Sequence, residues 1–135
     1  MKIGDSHEAT LVVSASDTAR ALATAPEDDF PAVFATSRMV ALMELAASRL
    51  MKSMLGAGQL SVGVGVNVTH MAPTPPGATA RAVATYLGPE GKLFRFKVEA
   101  FDGAGIIGQG EHTRAIVTTE RLIAGAERRR EQMEG

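Results

Sequence analysis

One helix that is apolar on nearly every side constrains this fold more than any other feature. The run Ser37–Leu55 has a strong hydrophobic period of 3.6 residues, and Gly56 is placed to end it. Its apolar face, with the residues that widen it, comprises Thr36, Met39, Val40, Leu42, Met43, Ala46, Ala47, Leu50, Met51 and Met54. The opposite side offers only a narrow stripe of basic residues. A helix of this kind is normally buried, so the pattern predicts a central helix covered on most sides.

The rest of the chain is predicted to be mostly strand. One short strand precedes the helix at Thr10–Ser14. Four more follow it, at Ser61–Met71, Ala78–Leu87, Leu93–Phe101 and Ile106–Thr119. Gly-rich hairpin signals at 88–91 and 102–105 separate the last three strands, which favours an antiparallel sheet. The final segment, Glu120–Gly135, predicts a charged helix that faces solvent.

This order predicts an α+β fold in which a curved antiparallel sheet wraps around one long central helix, the hotdog arrangement. A chain of 135 residues has the length of one domain. We therefore expect a single domain over residues 1–135, with mobile tails at 1–8 and 128–135. So small a sheet leaves edges and apolar surface to protect, so we expect a homodimer. Pairing of dimers into a tetramer is left open.

Composition excludes several classes of function. The net charge of −1 gives no basic surface for nucleic acid or for an anionic membrane. No apolar run approaches the roughly 20 residues that span a bilayer. Cysteine is absent, which fits a cytoplasmic protein and removes thiolate chemistry. We expect no metal, because His70 and His112 lack a third ligand at a recognisable spacing.

Two residues of the central helix are candidates for chemistry. Glu44 lies inside an apolar pattern, where a buried carboxylate is costly unless it is paired. The alternative is a boundary glutamate that reaches solvent or binds the hydroxyls of Ser37 and Ser48. Thr36 stands at the helix start, where a threonine usually caps the helix. The same position offers free backbone N–H groups that suit a developing oxyanion.

The strands add two histidines and two glycines to the candidates. His70 continues the apolar face of its strand, which suits either a hydrogen-bonded core histidine or a general base at the strand's end. His112 shares its face with Gly108, Gly110 and Arg114, and we predict that it lies on the surface or at an interface. Gly63 and Gly65 interrupt a strand, which indicates close approach of a ligand or helix.

Several stretches of sequence together carry a family resemblance. They are Phe30-Pro31-Ala32-Val33-Phe34-Ala35-Thr36, Met39-Val40, Leu42-Met43-Glu44, Val68-Thr69-His70 and Ala72-Pro73-Thr74-Pro75-Pro76-Gly77. This combination resembles the hotdog-fold fluoroacetyl-CoA thioesterase and its relatives. The similarity runs from about Phe30 to Arg114 and so covers most of the domain.

The resemblance implies a dimeric enzyme that hydrolyses short acyl-CoA esters, with coenzyme A as part of the substrate and no separate cofactor. It implies a catalytic group of Thr36, Glu44 and His70. It further implies that Gly63 lies near the thioester carbonyl, that Phe30 gates the acyl pocket, and that Arg114 contacts substrate or product.

One position departs from the family pattern. The fluoroacetyl-specific enzyme has a second aromatic residue three positions before the gate, where this chain has Glu27. We therefore expect a different acyl preference. The alternatives to hydrolysis are a non-catalytic module that binds acyl-CoA, an enoyl-CoA hydratase and a purely structural dimer. Whether Thr36 forms an acyl-enzyme or positions water is left open.

Overall fold

The computed structural model describes residues 1–135 and contains five strands and two α-helices. The helices are α1 (Thr36–Met51) and α2 (Thr119–Glu134). The strands are β1 (Ser6–Val12), β2 (Gln59–His70), β3 (Thr79–Glu90), β4 (Leu93–Asp102) and β5 (Gly105–Thr118). All strand pairs are antiparallel, in the sheet order β1-β3-β4-β5-β2. The predicted α+β arrangement of a curved sheet around one long helix is confirmed.

The core lies between α1 and the inner face of the sheet. Met39, Leu42, Met43, Ala46, Ala47 and Met51 are the buried residues of α1. The sheet meets them with alternate residues of β3 and β4, namely Ala80, Ala82, Ala84, Phe96, Val98 and Ala100. The alanines of β3 let the helix approach closely, while larger side chains of α1 fill the remaining space. Each large apolar side chain buried in this way contributes roughly 1.5 to 3 kcal/mol.

Strand β1 begins earlier than its sequence predicts. It starts at Ser6 instead of Thr10, and its first residues pair with Val83–Thr85 of β3. The polar residues at its start are exposed, and Ala9 alone in this strand is fully buried. An edge strand with so few buried residues gives a weak alternation signal. The expected tail at 1–8 therefore overlaps a paired strand.

The C-terminal helix α2 follows β5 without a connecting loop, and none of its residues is buried. Residues 128–134, which we assigned to a tail, belong to this helix. Helix α1 ends at Met51, and a short 3₁₀ turn at Lys52–Met54 follows it before β2. Neither helix combines the length and hydropathy needed to cross a bilayer.

Candidate active site

Thr36 is the first residue of α1, and its side chain binds a histidine instead of capping the helix. The N-cap is Ala35, with no side-chain cap. Thr36 Oγ1 lies 2.8 Å from His70 Nδ1. The capping interpretation of Thr36 is therefore wrong. The helix start is held by backbone bonds just before it, from Phe34 N–H to the Thr74 carbonyl and from Ala35 N–H to the Asp17 carbonyl, both 2.9 Å.

His70 is the last residue of β2 and supplies the second half of this pair. Its Nδ1 faces Thr36, whereas its Nε2 is buried and has no hydrogen-bond partner. A hydrogen-bonded core histidine would have both nitrogens satisfied, so that interpretation fails. Buried polar atoms without partners are rare in proteins and often belong to functional sites. When the Thr36 hydroxyl donates to Nδ1, the ring proton lies on Nε2.

The Thr36–His70 pair lies at an apolar cleft of about 310 Å³. The other residues that line this cleft are Ala19, Pro31, Val33, Phe34, Met71, Ala72 and Pro73. The backbone N–H groups of Thr36 and Ser37 open α1 and have no acceptor within the chain. Together with the helix dipole, they make this end of the cleft favourable for a negative charge. The cleft therefore joins an acyl-sized apolar space to a hydroxyl, an imidazole and free donors.

Glu44 lies away from this pair. It is eight residues along α1 from Thr36, a rise of about 12 Å at 1.5 Å per residue. Its side chain is 40% exposed in the single chain, which agrees with the alternative of a boundary glutamate that reaches solvent. The Ser48 hydroxyl donates to the Leu45 carbonyl at 2.8 Å, which excludes it as the partner of this carboxylate. One chain does not bring the three expected catalytic residues together.

Glu44 lies beside Gly63, His112 and Arg114. We call these four residues the Glu44 cluster. Glu44 Oε1 lies 3.5 Å from Arg114 Nη1 and 4.0 Å from His112 Nε2. A Cβ on Gly63 would collide with the same oxygen. Gly63 pairs with Arg114 across β2 and β5, next to a register shift between Gly63 and Gly65. The glycine interruption in β2 therefore admits a helix side chain, as its sequence indicated.

His112 and Arg114 are buried within the chain, at 1% and 6% exposure, so the predicted position of His112 on the surface or at an interface is wrong. The shared face of His112, Arg114, Gly108 and Gly110 was correctly inferred. The glycines bring β5 close to its neighbours, because a Cβ on Gly108 would meet Met39 and one on Gly110 would meet the β2 backbone. Sequence parity identified the face without showing that α1 and β2 cover it.

Burial lowers the pKa of His112 and the pKa of Arg114. Loss of solvation is the largest cause for His112, and the hydrogen bond to the Gly65 carbonyl opposes it by raising the pKa. The charge of Arg114 lowers the pKa of His112 further, and the charge of Glu44 raises it by a smaller amount. For Arg114, burial lowers the pKa and Glu44 opposes this shift. Arg114 also donates to Ser61, through Nε to the hydroxyl at 3.0 Å and through Nη2 to the carbonyl at 2.9 Å.

Phe30, the expected gate, is 43% exposed and does not line the cleft, although the adjacent Pro31 does. Sequence reasoning also missed Thr74, which is fully buried and donates to Asp102 Oδ2 at 2.7 Å. That bond anchors the Pro-rich loop whose carbonyl holds the start of α1. No group of three or more His, Cys, Asp or Glu side chains is arranged to hold a metal.

A curved antiparallel sheet around one helix, with a hydroxyl and an imidazole paired at the helix start, defines a hotdog-fold domain with a hydrolase-like cleft. Residues 13–120 match the family model described as fluoroacetyl-CoA-specific thioesterase. The chain belongs to this family, as its sequence motifs indicated.

Relatives with solved structures or curated functions agree with this assignment. The fluoroacetyl-CoA thioesterase of Streptantibioticus cattleyicolor is 40% identical over 126 residues, which cover 92% of this chain and 91% of that protein. A solved structure of fluoroacetyl-CoA thioesterase superposes with a TM-score of 0.90 at 39% identity, covering 95% of this chain and 96% of the other. A thioesterase superfamily member from Thermus thermophilus gives a TM-score of 0.88 at 28% identity, covering 98% and 96%.

Proposed function

We propose that this protein hydrolyses a short acyl-CoA thioester to the free acid and coenzyme A, without a separate cofactor. The observation that carries the proposal is the 2.8 Å contact between Thr36 Oγ1 and His70 Nδ1 at the N-terminus of α1. Membership of a thioesterase family and the 40% identical curated thioesterase support it. A cytoplasmic location belongs to the same proposal.

The chemistry follows from the groups around the cleft. The acyl carbonyl would lie against the start of α1, where the free N–H groups of Thr36 and Ser37 would stabilise the oxyanion. Preorganised donors of this kind typically contribute 10²–10³-fold in rate. His70 would take a proton from the attacking group and return it to the leaving thiolate of coenzyme A, a contribution of about 10²–10⁴-fold. The attack forms a C–O bond and breaks the C–S bond.

Two routes fit this arrangement. Thr36 Oγ1 could attack the carbonyl to form an acyl-enzyme, which water then hydrolyses with His70 as the base. Alternatively, Thr36 would position a water molecule that attacks directly. A hydroxyl is a weak nucleophile unless a base lies in hydrogen-bond reach, and the Thr36–His70 contact meets that condition.

We propose that a homodimer completes the site. Glu44 cannot reach the Thr36–His70 pair of its own chain across about 12 Å of helix. It is partly exposed beside a shallow pocket formed with Ala41, Leu45, Ser48 and Arg114, where a second copy could meet it. Strand β2 is also an edge strand, and its Val64 and Val66 are exposed. Glu44 of the partner subunit would then orient the attacking group or activate water.

The decisive experiment measures thiol release from a panel of acyl-CoA esters. The panel comprises acetyl, fluoroacetyl, propionyl, phenylacetyl and longer-chain thioesters. Alanine variants of Thr36, Glu44 and His70 are assayed alongside, with folding checked by circular dichroism. We expect turnover of at least one short ester and loss of turnover in all three variants. Release of no thiol from any ester, together with tight acyl-CoA binding, would replace hydrolysis with a binding function.

A further inference from the structure

His112 is buried at the centre of the Glu44 cluster, and both of its ring nitrogens have partners. Nδ1 lies 2.8 Å from the Gly65 carbonyl on β2, and Nε2 lies 3.1 Å from Arg114 Nη1 on the same strand. The ring also lies beside Phe96 of β4, with centroids 6.4 Å apart. The side chain therefore links the bulged part of β2 to the guanidinium group.

These contacts determine the protonation state of the ring. An arginine can only donate hydrogen bonds, so His112 Nε2 must accept from Arg114 Nη1 and carries no proton. A carbonyl can only accept, so Nδ1 carries the proton and donates it to Gly65. His112 is therefore neutral, with its proton on Nδ1.

Each of the three nitrogens of the Arg114 guanidinium has a hydrogen-bond acceptor. Ser61 accepts from Nε and Nη2, while His112 accepts from Nη1. Nη1 also lies 3.5 Å from Glu44 Oε1. With His112 as acceptor, Nη1 faces both the ring and the carboxylate. Without that acceptor, Nη1 is attached to the protein only by the Glu44 ion pair, whose carboxylate is itself partly exposed.

We propose that His112 is a positioning residue that fixes the Arg114 guanidinium so that it holds the Glu44 carboxylate against Gly63. This role rests on the proposed hydrolysis, because Glu44 matters to catalysis only if the site hydrolyses a thioester. His112 itself does not touch the Thr36–His70 pair. It acts through Arg114, across contacts that join β5, β2 and α1.

The charged surroundings of His112 make this role depend on pH. Arg114 faces it from β5 and Glu44 faces it from α1, while the Gly65 carbonyl and the Phe96 ring are its neutral neighbours. Burial lowers the pKa of His112, so the neutral form prevails at neutral pH. Protonation at lower pH would remove the acceptor for Arg114 and place two cations side by side. We therefore expect the carboxylate to lose its orientation as His112 is protonated.

Two amide variants separate the two contacts of the ring. In His112→Gln, the amide oxygen can reach the position of Nε2 and accept from Arg114. In His112→Asn, the amide nitrogen can reach the position of Nδ1 and donate to Gly65, but nothing accepts from Arg114. We expect kcat to fall about 10- to 100-fold in H112N, because small misplacements of active-site groups have effects of this size. We expect less than about a threefold fall in H112Q, with KM little changed in either variant.

A merely structural role predicts a different pattern, so urea unfolding is measured for both variants. If kcat follows the loss of stability, or if H112Q is as impaired as H112N, the positioning role is wrong. The acidic limb of the kcat profile provides a second readout. Because the Thr36–His70 pair is present in both proteins, the comparison is the ratio of kcat in the wild type to kcat in H112Q. The ratio should fall as pH is lowered, since only the wild type can be protonated at residue 112, and a constant ratio would contradict the pH dependence.

A readout without substrate distinguishes this inference from the proposed function. Hydrogen exchange of the Arg114 Nη–H protons is followed by ¹⁵N NMR, because those on Nη1 lose their acceptor in H112N. The signals are assigned through Arg114→Lys. We expect slow exchange in the wild type and H112Q, and at least about tenfold faster exchange in H112N. Unchanged exchange in H112N would overturn the inference. If the wild type releases no thiol, the proposed hydrolysis fails, and this exchange measurement alone decides whether His112 positions Arg114.

Discussion

Thr36 and Glu44 are separated by about 12 Å along α1 and by about 80° around its axis. Thr36 pairs with His70 at one end, whereas Glu44 pairs with Arg114 partway along the helix. The two halves of the expected catalytic group therefore occupy different parts of one chain. In a symmetric dimer, the Thr36–His70 pair of one subunit can meet the Glu44 of the other subunit, and the reverse.

Subunit mixing tests this arrangement. Thr36→Val and Glu44→Gln should each be inactive alone, since each removes one half of every site. A random mixture contains about half mixed dimers, each with one intact site, so activity should return to about a quarter of wild type. Thiol release from mixed and refolded chains provides the measurement.

Thr36→Val mixed with His70→Ala is the matched control for this experiment. Both changes affect the same half of the site, so no activity should return. Absence of recovery in the first mixture, although mixed dimers are detected with differently tagged chains, would show that the halves do not combine across subunits.

Gly63→Ala should reduce activity much more than stability. The added Cβ would collide with Glu44 Oε1, the end of a flexible and partly exposed side chain that can swing away. We expect a loss of kcat of about 10-fold or more, with a change in unfolding free energy below about 1 kcal/mol. Thiol release and urea unfolding measure the two effects.

Gly65→Ala is the control, because its Cβ would meet the Thr113 hydroxyl at 3.0 Å instead of the carboxylate. Its kcat should remain near the wild-type value. If both glycine variants lose activity equally, the effect belongs to β2 as a whole and not to the Glu44 carboxylate.

The hydroxyl group of Thr36 should affect kcat more than the shape of the side chain does. Thr36→Val preserves the shape of the side chain and removes the bond to His70, so kcat should fall about 10²–10⁴-fold. Thr36→Ser keeps a hydroxyl in reach of the imidazole and should lose less than about tenfold. Equal losses in the two variants, measured by thiol release, would exclude a role for the hydroxyl.

The bond between Thr74 and Asp102 should contribute stability that depends on pH. The Thr74 hydroxyl is the main cause that lowers the pKa of Asp102, the Ala104 N–H adds to it, and burial opposes both. A lowered carboxyl pKa stabilises the fold above the unfolded value of about 3.9 and loses that effect as pH falls through the folded pKa. Thr74→Val should therefore cost roughly 1 to 2 kcal/mol at pH 7.

The difference between wild type and Thr74→Val should narrow below about pH 4. Urea unfolding at pH 7 and at pH 3 measures it. Asp17 and Asp28 also have lowered pKa values, but both proteins contain them, so they cancel in the comparison. A difference that stays constant with pH would contradict the role of the ionised Asp102.

The acyl selectivity of this chain should differ from the fluoroacetyl-CoA specificity for which its relatives are named. Glu27 and Phe30 are both exposed in the single chain, and neither lines the cleft. Without specific contacts to the fluorine, we expect kcat/KM for fluoroacetyl-CoA and acetyl-CoA to agree within about tenfold. A preference above about 100-fold for fluoroacetyl-CoA would show that this chain has another means of discrimination.

The sequence by itself determined the order of the elements, the antiparallel sheet around a buried helix, and the faces that candidate residues share. Those features depend on periodicity, which is local. The apolar residues from Ser37 onward repeat every 3.6 residues because they lie on one side of a helix. The alternation predicted from Val62 to Val68 is wrong, because the register shift between Gly63 and Gly65 puts Val62 on the opposite face from Val66 and Val68.

Only the tertiary structure decided what covers each face. His112 was placed on the correct face of β5, yet its burial depends on Glu44 from α1 and Gly65 from β2. The contact between Thr36 and His70, and the separation of both from Glu44, likewise depend on how distant segments pack. Periodicity in the sequence indicates which side chains share one face of a helix or strand. The partners that they meet are set by long-range register and helix placement, which no local pattern contains.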